Sequence, residues 1–570
     1  MNKLKIYVLC LTFIVLGFSS CKIDKKQSKN KKDRPNIILI MSDDMGYSDI
    51  GCYGGVINTP NLDNLAKNGL RFTQFYNGAR CCPTRASLLT GLYAQQAGVG
   101  HMTEDKGNDG YSGDLSNHAV TIAQVLKKAG YSTYMSGKWH VTPYDPEDDN
   151  PSKKNWPLQR GFDKFFGTIL GAGSYYDPAS LARDNEYIVP SKDFYYTDAI
   201  TQNAIKYIKE DKGDKPFFMY VAYTAAHWPM QAKPEDIAKY KGKFDDGWDA
   251  LRQKKYENLV KMGLVKPEWE LSKRDPSVPK WEDEKRKKWN SSLMEVYAAI
   301  IDCMDQGIGK IMNTLDEKGI RDNTLVFFLE DNGACAERRG IDHGISPYHN
   351  DVKVGEIKPM GKNERQKYMC PKYTRDGKPV MSGIGQEPGK ADSYVAYGVA
   401  WANASNTPFR LYKHWDHEGG ISTPLIVSWP DGIKSKNEFR YQTGHIIDIM
   451  ATCVDVAGAV YPKSYKGDSI TPMQGVSLVP AFENKDLPDR AIFWEHEGNK
   501  AVRYGKYKLV SKWRRDSEYN WELYDMEKDR SEMNNIIKEM PEKAKEMEEL
   551  WKNWAKRVGV YTWKPFKPVE

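Results

Sequence analysis

The sequence predicts an α/β fold: a large, mainly parallel mixed sheet flanked by helices, with a smaller C-terminal α+β domain containing a short antiparallel sheet. Three observations carry this reading. Continuous apolar runs, such as residues 35–41 (PNIILIM), are what strands buried on both faces require. Such runs alternate with segments of helical periodicity, and alternation of strand and helix is the mark of a parallel sheet. From about Leu487 the pattern changes to closely spaced short strands followed by one helix.

Taken in order, residues 35–41 form the first strand, and 61–68 a short helix ended by Gly69. Residues 70–75 are the next strand. Pro83 suits the first turn of a helix, which is read over 86–92. Val120, Ile122, Val125 and Leu126 share a helical face that closes at Gly130, and 131–135 is a strand. Residues 199–208 are helical and 216–221 extended. A long helix over 291–315 precedes a strand at 324–329; 425–429 is a strand and 446–456 a helix. Residues 233–289 are charged and Trp-rich and read as an insertion. Residues 338–397 are Gly-, Pro- and Lys-rich and too long for a routine connection, so they are expected to lie over the site. In the tail, 490–494, 500–503, 506–511 and 522–524 are strands, and 541–555 a helix.

The domain plan is a signal over 1–21, a tether over 22–34, a catalytic domain over 35–486 and an α+β subdomain over 487–570. Lys3 and Lys5 precede an apolar run over 6–18, too short for a comfortable span, and Ser19-Ser20-Cys21 resembles a bacterial lipoprotein cleavage site. An exported periplasmic or cell-surface lipoprotein is therefore expected, touching membrane only through its N-terminal lipid. The first 34 residues hold nine Lys/Arg against two Asp, a net of +7, and the whole chain is also +7. The body is thus near neutral, which argues against a nucleic-acid surface. The basic, polar tether has the composition of a disordered spacer. Of nine cysteines, Cys10 and Cys21 fall in the signal; the spacing of the others fixes no disulfide pairing and contains no Cys-x-x-Cys zinc pattern.

The chemistry-bearing residues recur at the carboxyl ends of the expected strands, where open α/β sheets bind ligands. Ser42-Asp43-Asp44 follows the first strand and Glu330-Asp331-Asn332-Gly333 the one ending at Leu329. Adjacent carboxylates repel and need a cation or a helix N-terminus, although each stretch also reads as an ordinary turn. Together they offer oxygen donors alone, which suits Ca²⁺ first and Mg²⁺ second. Lys138 and His140, two apart after another strand, point to one side if extended. His227 follows the 216–221 strand. Lys413 opens a Lys-x4-Glu-Gly-Gly stretch that also holds His414 and His417.

Residues 77–91 (NGARCCPTRASLLTG) resemble the Cys-x-Pro-Ser/Thr-Arg signature of type I, formylglycine-dependent sulfatases, a family of the alkaline phosphatase superfamily; five separated motifs stand in that family's order. The departures are Thr84, where Ser is common, and Glu330 before Asp331-Asn332. The resemblance implies that a maturation enzyme oxidises Cys81 to formylglycine, whose hydrate is the nucleophile. It implies metal ligation by Asp43, Asp44, Asp331, Asn332 and the oxygen at position 81. Arg85 and Lys138 would hold the hydrate and the sulfate, His227 or Lys413 would protonate the leaving oxygen, and His140 would deprotonate the second hydroxyl. The expected substrate is a sulfated polysaccharide, oligosaccharide or aryl sulfate. His101, His496, Glu497 and Asn499 are candidate sugar subsites, and equally ordinary loop polar residues. Two alternatives stay open: a phosphatase or phosphonate monoester hydrolase of the same superfamily, and a non-catalytic glycan-binding lipoprotein.

Overall fold

The structure is a computed structural model that describes residues 34–513 and 520–563. The expected signal and nearly all of the tether lie outside the described residues. The tether's last residue, Arg34, donates to Ala129 O at 2.7 Å.

The main sheet is built from β1 (Asn36–Ser42), β2 (Leu70–Tyr76), β3 (Ser132–Gly137), β4 (Lys164–Thr168), β5 (Leu181–Arg183), β6 (Glu186–Tyr187), β7 (Phe217–Ala222), β8 (Thr324–Glu330), β9 (Ser422–Ser428), β10 (Glu438–Arg440) and β11 (Gly444–His445). Its order is β10-β2-β9-β8-β1-β7-β3-β4-β5-β6, with β11 also paired to β2. The centre is parallel: β1 pairs β8 and β7, and β3 pairs β7 and β4. β9 runs antiparallel between β2 and β8, so the sheet is mixed. The apolar run of β1 divides by alternation. Ile38 and Ile40 enter the core beneath the long helix Lys287–Glu317, while Ile37, Leu39 and Met41 enter the core on the opposite face. Both faces being covered is why every residue of the run is apolar.

Most elements lie where the sequence places them. The main difference is the helix of the cysteine motif, which spans Cys81–Thr90 rather than starting near Pro83. Arg80 is its extended N-cap, and Gly91 closes it at φ 68°. Cys81 is thereby the first helical residue, with the unbonded N–H groups of the helix start around it. The strands β4 to β6 and the helix Gly398–Ser405 were not legible from periodicity.

The tail forms a four-stranded antiparallel meander (Ile492–His496, Asn499–Tyr504, Tyr507–Ser511, Trp521–Asp525) with the helix Pro541–Val558 packed on it. Phe493 and Trp554 stack at 5.2 Å, and Trp551 Nε1 donates to Trp494 O at 2.9 Å. This sheet docks on the loop that precedes Cys81, where Trp494 Nε1 donates to Asn77 O at 2.8 Å. A buried ion network closes the junction: Lys508 Nζ lies 3.0 Å from Glu418 Oε1 and 2.8 Å from Glu532 Oε1, and Arg530 Nε donates to Glu418 Oε2 at 2.9 Å. All seven described body cysteines are buried free thiols.

Candidate active site

Parallel strands deliver their carboxyl ends to one edge of the sheet, and the candidate residues meet there. Asp43 and Asp44 follow β1, Asp331 and Asn332 follow β8, Lys138 and His140 follow β3, and His227 follows β7. All are buried, with Asp43, Asp331, Asn332, Lys138 and Arg85 at 0% exposure. The β1 and β7 ends are strapped together: Asp43 N donates to Ala225 O at 2.8 Å and Ala226 N donates to Asp43 O at 2.6 Å.

The carboxylates are threaded by cations. Lys138 Nζ is 2.5 Å from Asp43 Oδ2. Arg85 donates to Asp331 Oδ2 from Nη2 at 2.7 Å and from Nε at 3.1 Å, with Asp43 Oδ2 3.6 Å from Nη2. Lys413 Nζ lies 2.8 and 2.9 Å from the two oxygens of Asp44. Asn332 Nδ2 donates to Asp44 Oδ1 at 2.7 Å, and Asp44 N to Asp331 Oδ1 at 3.3 Å. Burial pushes the Asp331 carboxyl up to about 7, helped by Asp43 and opposed by Arg85. Burial also raises Asp43 against the pull of Lys138 and Arg85. For Asp44, Lys413 and His227 outweigh burial and hold the carboxyl well below the usual range. Asp44 and His140 sit at φ 61° and 53°, positive values that side chains other than glycine rarely adopt.

The donor set fits a hard divalent cation. Asp43 Oδ1 and Asn332 Oδ1 are buried acceptors without a hydrogen-bond partner, and both belong to this group. Orphaned oxygens beside three carboxylates, with no thiolate among these four residues, match an oxygen-ligated ion.

Cys81 completes the arrangement. A hydrogen bond from Cys82, and then Lys138, His140 and Lys413, outweigh burial and hold its thiol well below the ordinary cysteine range. The sulfur and nitrogen atoms of Cys81, Cys82 and His140 lie within 4.8 Å of one another. The imidazole Nε2 of His140 is 3.2 Å from Cys82 Sγ. Cys82, to which the sequence assigns no role, touches a catalytic candidate. Gly171 was missed as well: a Cβ there would stand 1.9 Å from His140 Cε1, so only glycine lets the ring sit in place. Tyr220, which accepts from Arg85 Nη1 at 3.2 Å, carries no sequence signal beyond its strand.

His227 Nδ1 lies 2.7 Å from Trp228 O. A carbonyl only accepts, so Nδ1 carries a proton; Nε2 lies 3.2 Å from Asp44 Oδ2 and 3.4 Å from Lys413 Nζ. Burial lowers His227 and His140 each to about 4, so both rings are neutral at pH 7. The 338–397 segment covers this side: Arg339 lies 5.5 Å over the Trp228 ring, and Met230 N donates to Val395 O at 2.8 Å.

The four proposed subsite residues lie on the tail sheet and the loop beside it. His101 Nε2 is 2.6 Å from Glu497 Oε1, and His496 stacks on His101 at 5.7 Å. They are joined by His414, whose Nδ1 is 2.7 Å from Glu497 Oε2. The Asn499 carboxamide is engaged with backbone: it donates to His414 O and His496 O and accepts from Trp513 N. His417 belongs elsewhere, 3.4 Å from Glu522 Oε2.

Fold and site together gather buried cations, carboxylates and a cysteine at a helix start to one edge of a mixed α/β sheet. The sulfatase family model matches residues 35–459, and the chain belongs to the sulfatase family as a sulfuric ester hydrolase. A model described as N-sulphoglucosamine sulphohydrolase, C-terminal, matches 409–558. An uncharacterized sulfatase of Schizosaccharomyces pombe is 31% identical over 94% of this chain and 96% of its own length. An arylsulfatase of Klebsiella aerogenes is 33% identical over 79% and 92%. Among solved structures, Ps i-CgsB in complex with k-i-k-neocarrahexaose superposes with a TM-score of 0.63 at 22% identity, covering 94% of this chain and 95% of that one. A protein in complex with its substrate D-glucosamine-2-N,6-O-disulfate gives 0.60 at 22%, covering 93% and 99%.

Proposed function

We propose that the protein removes sulfate esters from saccharides, using the aldehyde hydrate formed from Cys81 beside a divalent cation. The observation that carries this is the convergence of Cys81 at a helix N-terminus with Asp43, Asp44, Asp331 and Asn332, two of whose oxygens have no partner. Neighbours solved with k-i-k-neocarrahexaose and D-glucosamine-2-N,6-O-disulfate support a sulfated sugar as the substrate class.

Asp43, Asp44, Asp331 and Asn332 would hold the ion, Ca²⁺ by the hardness of the donors, with Mg²⁺ the second choice. Bound there, the ion supplies positive charge against the sulfuryl oxygens and an acidified nucleophile; the hydrate supplies a second hydroxyl through which sulfate can be expelled. The rest is done by side chains of the chain itself. Arg85 and Lys138, fixed by Asp331 and Asp43, hold positive charge where the sulfuryl group must lie. Asp331, held by Arg85 Nη2 and Nε, is placed to take a proton from the attacking hydroxyl. Lys413, its ammonium held by Asp44 and bordered by His227 Nε2, is the proton donor to the leaving oxygen. His140 is neutral and accepts the proton of the second hydroxyl, with Cys82 and Gly171 fixing its ring.

Cys81→Ala is expected to abolish turnover of an aryl sulfate. Substantial activity in that variant would refute the nucleophile assignment. Mass spectrometry of the peptide containing position 81, from the native producer, should show the aldehyde; an unmodified thiol favours a non-catalytic role. Paired aryl sulfate and aryl phosphate rates separate the sulfatase reading from a phosphatase one. Export and acylation at Cys21 are likewise proposed from the sequence; palmitate labelling abolished by Cys21→Ala is the expected result.

A further inference from the structure

We infer that His101, His414, His496 and Glu497 form a second metal site, selective for a first-row transition ion of the Zn²⁺ class and distinct from the oxygen-lined site beside Cys81. The donors come from three separate parts of the chain: the loop after the cysteine helix, the residue next to Lys413, and the turn joining the first two strands of the tail sheet. One ligand atom each of His414, His496 and Glu497 lies within 4.8 Å of the other two. Glu497 holds His101 Nε2 at 2.6 Å and His414 Nδ1 at 2.7 Å, and His496 Nε2 is 3.8 Å from Glu497 Oε1.

Three features point to an ion rather than to a sugar. Three imidazoles and one carboxylate are the donor types that bind Zn²⁺ and its neighbours, whereas Ca²⁺ takes oxygens. His496 is only 2% exposed, and both of its ring nitrogens lack a hydrogen-bond partner; His101 Nδ1 lacks one too. A buried imidazole with two idle nitrogens calls for a partner inside the fold. His414 and Glu497 also hold positive φ, 91° and 49°, which turn their side chains inward at a conformational cost. Binding would displace the hydrogen bonds that join His101 and His414 to Glu497: each neutral ring would carry its proton on its other nitrogen, leaving the freed nitrogen and the carboxylate oxygens as ligands.

The test uses tag-free, full-length protein dialysed against Co²⁺ in the presence of excess Ca²⁺, which occupies the oxygen-lined site. Wild type is expected to retain one Co²⁺ per chain with a visible absorption band, and His496→Ala and Glu497→Gln to retain none while keeping the wild-type circular dichroism. X-ray absorption of Zn²⁺-loaded wild type needs no substitution and is expected to count two or three imidazoles at about 2.0–2.1 Å. An oxygen-dominated shell, no retained Co²⁺ in wild type, or equal retention in the variants would overturn the assignment. So would variants that bind no less metal but lose turnover of sulfated sugars and not of aryl sulfates; the cluster would then be a sugar contact.

Discussion

Replacing Lys508 by methionine tests how the tail subdomain is held. The Lys508 ammonium bridges Glu418 and Glu532 at 3.0 and 2.8 Å, and all three side chains are 0% exposed. Methionine fills the space of the lysine stem and removes only the charge. Glu418 would keep Arg530 and the Tyr76 hydroxyl at 3.1 Å, while Glu532 would lose its nearest cation, the next being Arg410 Nε at 3.8 Å. Breaking a buried pair while leaving its partner charged costs about 3–5 kcal/mol, far above the few tenths of a surface pair. Burial pushes the Glu418 carboxyl up, and Lys508 and Arg530 outweigh it and hold the group below its ordinary value. Its contribution is therefore present above the unfolded carboxylate value near 4.5 and lost as pH falls through the folded one. Without Lys508 the Glu418 carboxyl rises toward the value burial favours, so the variant's deficit should be largest at pH 7 and shrink as pH falls through about 4.5 and Glu418 protonates. Urea unfolding followed by tryptophan fluorescence measures it, with Lys508→Met/Glu418→Gln completing a double-mutant cycle whose coupling should reach about 1–3 kcal/mol. A deficit under about 1 kcal/mol at pH 7, or strict additivity, would show that the network does not secure the junction.

Lys138→Ala should lower kcat for an aryl sulfate by about 10²–10³ while the protein stays folded, read by steady-state kinetics beside circular dichroism. Exhaustive chelation should abolish turnover and Ca²⁺ readdition restore it; full rates after verified removal of the ion would count against the oxygen-lined site. Burial raises Glu522, but His417 and Arg410 bring it down to about 2. That depression from 4.5 makes the Glu522 carboxylate stabilising above pH 4.5, an effect lost as pH falls through 2, so Glu522→Gln should destabilise at pH 7 and make little difference at pH 2 in urea titrations.

Much of the site was legible because its signals are local. A parallel strand buried on both faces announces itself as an apolar run, and its carboxyl end is the residue where that run stops. Asp43, Asp44, Lys138, His227, Asp331 and Asn332 could therefore be placed at one edge of the sheet before any coordinates. The position of β9 between β2 and β8 was not legible, because strand order depends on which long-range pairing buries most surface, and no local period encodes it.

What the sequence determined by itself is the class of fold, the family to which the cysteine motif belongs, and the identity of the residues at the strand ends. Tertiary structure alone decided that Cys82 rather than solvent faces His140, that Gly171 makes room for that ring, and that His414 joins His101, His496 and Glu497. Those partners stand 31 to 396 residues apart. Spacing and turn chemistry act over a few residues, whereas contacts across hundreds exist only once two buried faces have chosen each other.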